Sequence, residues 1–84
     1  MVIVSLKGEA PNSRAGIITG RSIGNAVKRN KARRRLRVIM QQFLPLVKTP
    51  TDLVIIGRTG MNEASFQEIN IVVQRLLIHA GLMD

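Results

Sequence analysis

A chain of 84 residues with 13 Lys and Arg against 5 Asp and Glu, a formal charge of +8, has room for one small domain spanning residues 1–84. It has no Cys, which excludes a disulfide framework, a thiolate metal site and a cysteine nucleophile, and no apolar run approaches the roughly 20 residues that span a bilayer. With Phe43 and Phe66 the only aromatics in a 45% apolar composition, the core is expected to be Ile, Val, Leu and Met, and base stacking on Phe or Tyr is disfavoured.

In chain order, residues 2–7 are short and β-branched and predict a strand. They lack the charged n-region and long apolar core of a secretion signal, so the expected location is the cytoplasm. Residues 8–13, Gly-Glu-Ala-Pro-Asn-Ser, are turn formers. Residues 15–19 are of strand length, and an antiparallel hairpin with the first strand is expected across that loop.

The segment 20–24, Gly-Arg-Ser-Ile-Gly, breaks the strand pattern, and a helix is predicted from about Asn25 to Leu44. Ala32, Leu36, Ile39, Met40, Phe43 and Val47 fall on one stripe, the face that packs on a sheet. Asn30, Arg33, Arg34, Arg37 and Gln41 share one flank, and Lys28, Lys31 and Arg35 share the opposite one. Arg29 is in line with the apolar stripe and is expected to project past its edge.

Pro45 and Pro50 mark the exit from the helix. The apolar run 53–56 suits a strand that is central in a sheet or covered on both faces. The turn-rich residues 59–63 lead to Ser65 and Glu68, a capping box that starts a second helix. Ile69, Val72, Val73, Leu76, Leu77 and Ala80 repeat at helical spacing, and Gly81 is placed to stop the helix. Ile71 and Ile78 fall on the outer face, where they suggest a contact surface or simply scattered exposed apolar residues. The order is β-β-α-β-α, a two-layer α+β domain.

Chemistry of its own is hard to find in this chain. The acids are scattered along it, His79 lies late in the second helix without a neighbouring acid, and Ser22 and Ser65 have no activating partner. The glycines at 20 and 24 lack the Gly-Lys-Ser/Thr ending of a P-loop. No catalytic or metal-binding residue is expected.

The charge is concentrated instead. Seven of the ten residues from Lys28 to Arg37 are Lys or Arg, five of them Arg, and no acid occurs between Glu9 and Asp52. Solvated helix faces usually mix signs so that pairs one turn apart offset repulsion. An unmixed Arg-rich face points to a polyanion, since the guanidinium fork can bond one phosphate twice. Charge alone leaves RNA and DNA undivided.

The run Ile23-Gly24-Asn25-Ala26-Val27-Lys28-Arg29-Asn30-Lys31-Ala32-Arg33-Arg34-Arg35-Leu36-Arg37 resembles the signature of the bacterial ribonuclease P protein subunit, Gly-x-Ala-Val-x-Arg-Asn followed by Lys/Arg-Arg-x-Leu-Arg. The stretch 52–58, Asp-Leu-Val-Ile-Ile-Gly-Arg, and a Ser-Phe opening a last helix that ends Leu-Leu-x-x-Ala-Gly are similar to the rest of that family. The resemblance implies a ribosomal protein S5 domain 2-like fold with a left-handed β-α-β crossover, against the usual right-handed rule. It also implies an RNA-binding subunit that assists a catalytic RNA in removing the 5′ leader of precursor tRNA, with magnesium entering through the RNA and no cofactor bound by the protein.

The family role carries onto Arg29, Asn30, Arg33, Arg34 and Arg37, with Gly24 at the start of the helix and Arg58 after the last strand. With the remaining basic positions the expected RNA-binding set is Arg21, Lys28, Arg29, Asn30, Lys31, Arg33, Arg34, Arg37 and Arg58. Two departures stand out. Val38 replaces a common Glu, and the family's first helix and first strand have no counterpart, which puts leader binding in question and leaves a sheet edge open to homodimer formation. A general structural nucleic-acid-binding protein, or a truncated variant of the subunit, is the alternative.

Overall fold

The computed structural model describes residues 1–8, 11–58 and 60–84, so Glu9 and Ala10 of the first loop and Thr59 of the turn-rich segment lie outside the described residues. It contains three strands, β1 (Val2–Lys7), β2 (Arg14–Thr19) and β3 (Thr51–Gly57), and two helices, α1 (Ala26–Phe43) and α2 (Phe66–His79). The α+β order is as expected. The hairpin is not formed.

β3 lies between the other two strands, antiparallel to β1 with Val4 opposite Val54, and parallel to β2 with Ile17 opposite Ile55. The most continuously apolar strand takes the position with a neighbour on each side, and a parallel β2–β3 pair needs the long crossover that α1 provides. Ser13 fixes the start of β2 against β3 rather than β1. Its hydroxyl donates to the Thr49 carbonyl at 3.3 Å and accepts from the Thr51 N–H at 3.1 Å.

Alternation along β3 is strict. Thr51, Leu53, Ile55 and Gly57 are buried on the helix side, while Asp52, Val54 and Ile56 are half-buried on the other. The strand is therefore central, but only one of its faces is covered by helices. The open face carries exposed Val2, Val4, Leu6 and Ile18.

On that open face Arg14 and Asp52 sit directly across β2 and β3, and the guanidinium donates to both carboxylate oxygens, at 3.0 and 2.9 Å. These hydrogen bonds hold the Asp52 carboxyl below the ordinary carboxylate value. A depressed folded-state pKa contributes stability that is present above the unfolded-state value and lost as the pH falls through the folded-state one. Asp52→Asn should therefore lower the thermal midpoint slightly at neutral pH, because the pair is solvent-exposed, and the two proteins should converge from about pH 5 downward. Melting curves that stay parallel in acid would show that the pair contributes nothing.

The stripe predicted for α1 is the core: Ala32, Leu36, Ile39, Met40 and Phe43 are all buried, and Val47 packs half-buried beside them. α2 supplies Ile69, Val73 and Leu77. Its capping box is complete, with Ser65 accepting from the Glu68 N–H and Glu68 accepting from the Ser65 N–H. Its end carries the paired bonds of a Schellman stop, Leu82 N–H to Leu77 and Gly81 N–H to Ile78.

Val72 departs from its expected place on the buried stripe. It is 42% exposed, because it lies about 100° from Val73 on the flank away from α1. The opposite flank of α2 meets α1 through Asn70, which donates to Gln42 at 3.0 Å. Ile71 and Ile78 are exposed as their wheel positions require. No helix among the described residues is long and apolar enough to cross a membrane.

Candidate nucleic-acid interface

α1 begins where the chain can turn sharply out of the sheet. After β2, a 3-10 turn at Arg21–Ile23 leads to Gly24, whose φ of +133° and ψ of −149° are open essentially to glycine alone. A Cβ there would also lie 2.8 Å from Lys28 Cδ. Asn25 then caps the helix by accepting from the Lys28 N–H at 3.0 Å. Gly24→Ala should cost about 1–3 kcal/mol of stability through backbone strain. Lower affinity for RNA should accompany it, because the first turn of the basic helix would be displaced; an unchanged melting curve would show that the turn adapts freely.

Because the apolar stripe is pinned on the sheet, the basic residues take up the remaining surface. Asn30, Arg33, Arg34 and Arg37 come together with Val27 around an open cavity of about 410 Å³. The Arg33 guanidinium donates to Thr19 Oγ1 at 3.1 Å, at the end of β2. One of its five N–H donors is thereby used to aim the group, and the others are left for a ligand. Lys28 and Lys31 are exposed on the opposite flank with Arg35, and Arg29 is half-buried as it passes the core edge.

Arg21 and Arg58 are both exposed and lie just beyond one end of the sheet, since Thr19 and Gly57 are register partners. The nine expected residues thus form a coherent flank of four, a second flank, and a pair at the sheet end. Arg35 has a different part. It donates to the Ala64 carbonyl at 3.0 Å, tying α1 to the segment that leads into α2. Nothing in the run of arginines distinguishes it; only its helical phase, opposite to Arg33, could have suggested it.

Sequence reasoning did not anticipate a groove between β2 and α1. Ala15 and Ile17 form a half-buried apolar floor there, and Arg33, Arg37 and Gln41 form the rim of a cavity of about 300 Å³. No group of three or more His, Cys, Asp or Glu able to hold a metal occurs among the described residues.

The fold and this surface define a small α+β protein that presents one polybasic helix across a three-stranded sheet. The family described as Ribonuclease P matches residues 1–81. Among known proteins, the chain is 37% identical over 83 residues to the ribonuclease P protein component of Streptococcus equi subsp. zooepidemicus, covering 99% of this chain and 69% of that one. It is 33% identical over 82 residues to the component from Syntrophomonas wolfei, covering 98% and 69%.

A structure of the Staphylococcus aureus RNase P protein matches 98% of this chain and 75% of that chain with a TM-score of 0.85 at 23% identity, which shows the shared fold. The Thermotoga maritima RNase P protein matches with a TM-score of 0.78 at 28% identity, covering 89% and 72%. The chain belongs to the ribonuclease P protein family, as its central motif implied.

Proposed function

We propose that this chain acts as the RNA-binding protein subunit of ribonuclease P, using α1 to hold the catalytic RNA that removes the 5′ leader of precursor tRNA. The observation that carries the reading is the flank of Asn30, Arg33, Arg34 and Arg37, gathered on one side of a helix whose opposite face is anchored in the core. Arg21 and Arg58 would extend the contact beyond the sheet end, and Lys28, Arg29 and Lys31 would meet phosphates from the other side of the helix.

The protein's part is electrostatic. Cations set at fixed positions lower repulsion between RNA phosphates and favour the folded RNA, while hydrolysis depends on magnesium held by the RNA and on no cofactor of the protein. Precursor tRNA is the substrate of the assembly, which would work in the cytoplasm. Association of two copies is a further element of the reading, supported by β1 and β2 as sheet edges and by exposed Val2, Val4 and Leu6. Light scattering at micromolar concentration should then give twice the chain mass; a monomer would remove the dimer.

The test of function is cleavage of a precursor tRNA by ribonuclease P RNA at low magnesium, with this chain or with an unrelated protein of equal charge. Stimulation by this chain alone is the expected result. Equal stimulation by both proteins would reduce it to a general nucleic-acid-binding protein.

A further inference from the structure

We infer that the groove between β2 and α1 is a binding track for single-stranded RNA that ends in a neutral nucleobase site at the Pro45 end of the helix. This rests on the reading of α1 as an RNA-binding element, and it specifies which form of RNA the helix takes and where.

The track is a continuous chain of three open cavities. The first, around Asn30 and Arg34, shares Arg33 and Arg37 with the groove floored by Ala15 and Ile17. That groove shares Gln41 and Leu44 with a third cavity of about 600 Å³, reaching Asn12 in the loop before β2 and Pro45 beyond α1. As α1 proceeds from Arg33 to Pro45 its partners recede from Thr19 to Asn12, so helix and strand run in opposite directions along the same track.

Their repeats match. Four residues of helix advance about 6 Å, and two residues of strand, which return to the same face, advance about 6.6 Å. Arg33, Arg37 and Gln41 on one wall therefore keep step with Thr19, Ile17 and Ala15 on the other, at close to the separation of successive phosphates in an extended single strand.

The chemistry changes along the track. Arg33 and Arg37 suit phosphates at one end. No charged side chain lines the third cavity, where the amides of Asn12 and Gln41 offer donors and acceptors beside Leu44 and Pro45. A site with amide groups and apolar walls suits the edge and face of an unpaired base, and it is poorly suited to a phosphate. A duplex has its base faces already stacked, so it can meet only the exposed arginines on the outer helix surface and gains nothing from the floor of Ala15 and Ile17. The single basic rim likewise favours a polyanion over a neutral peptide added to the free edge of β2.

The experiment uses the whole chain, a fluorescein-labelled oligouridylate, and an RNA duplex of the same phosphate count, followed by fluorescence anisotropy at one salt concentration. The oligouridylate should bind more tightly than the duplex. Asn12→Ala with Gln41→Ala, both at exposed positions, should shrink that preference by about three- to tenfold through loss of hydrogen bonds to a base. Ala15→Leu, which raises the floor, should shrink it as well.

Equal binding of the two probes, or a preference untouched by these variants, would overturn the track while leaving phosphate binding by α1 in place. Failure of both probes to bind would remove the RNA-binding reading with it. Displacement of the oligouridylate by an oligoglutamate peptide of equal charge would overturn the track in favour of an acidic protein partner.

Discussion

Leu36→Ala should be the most damaging single truncation in this protein. Leu36 is fully buried at the middle of the α1 stripe, in one cluster with Ile39, Met40, Leu53 and Ile55. Leu→Ala at such a site costs about 2–5 kcal/mol, set by how far the cavity collapses, out of the roughly 5–15 kcal/mol that holds a domain of this kind together. At about 4–8 °C per kcal/mol for a domain near this size, the thermal midpoint should fall by about 10 °C or more.

RNA binding should weaken in parallel, because the same side chain that anchors the helix sets the direction of Arg33 and Arg37. Val38→Ala, two residues on and 53% exposed, should change stability by no more than about 0.5 kcal/mol. A loss below about 1 kcal/mol for Leu36→Ala would mean that α1 is held by something other than its stripe.

That stripe was legible in the sequence because helical phase is local information: six residues within sixteen positions declare a face. The capping box at Ser65 and the stop at Gly81 were legible for the same reason, each being a short-range hydrogen-bond pattern in which residue type and spacing carry the geometry. Strand order is not local. Ser13 meets Thr51 across 38 positions, and the sequence between β1 and β2 does not record that a later strand will come between them.

The expected hairpin failed on that point. A two-strand pairing satisfies β1 and β2 alone, but it leaves the four consecutive apolar residues of β3 without a place in which both edges are paired. The same limit applies at the candidate site. The wheel placed Asn30, Arg33, Arg34 and Arg37 together, yet it could not show that Arg33 leans onto Thr19 or that Arg35 is engaged by Ala64. Nor could it show that β2 supplies an apolar floor beside the arginines, since that depends on which strand α1 crosses.

Arg33→Ala with Arg37→Ala should have the largest effect on function at the smallest cost to the fold. Arg37 is exposed and Arg33 half-buried, with one hydrogen bond to Thr19. If each guanidinium neutralises one phosphate, the slope of log affinity against log salt should fall in magnitude by roughly 0.7 to 0.9 for each substitution and by about twice that in the double variant. Stimulation of the catalytic RNA at low magnesium should fall with it, and the thermal midpoint should move little.

Two comparisons separate this from a general loss of charge. Arg35→Ala removes the same formal charge from the same helix, but its guanidinium is committed to the Ala64 carbonyl, so stability should drop while the salt slope holds. Arg37→Lys keeps the charge and loses the planar fork, so the slope should be preserved while the affinity declines. Equal slopes for the Arg33, Arg35 and Arg37 variants would indicate a diffuse cloud of charge, with no role for the geometry that sets one flank of α1 against β2 and the other against the approach to α2.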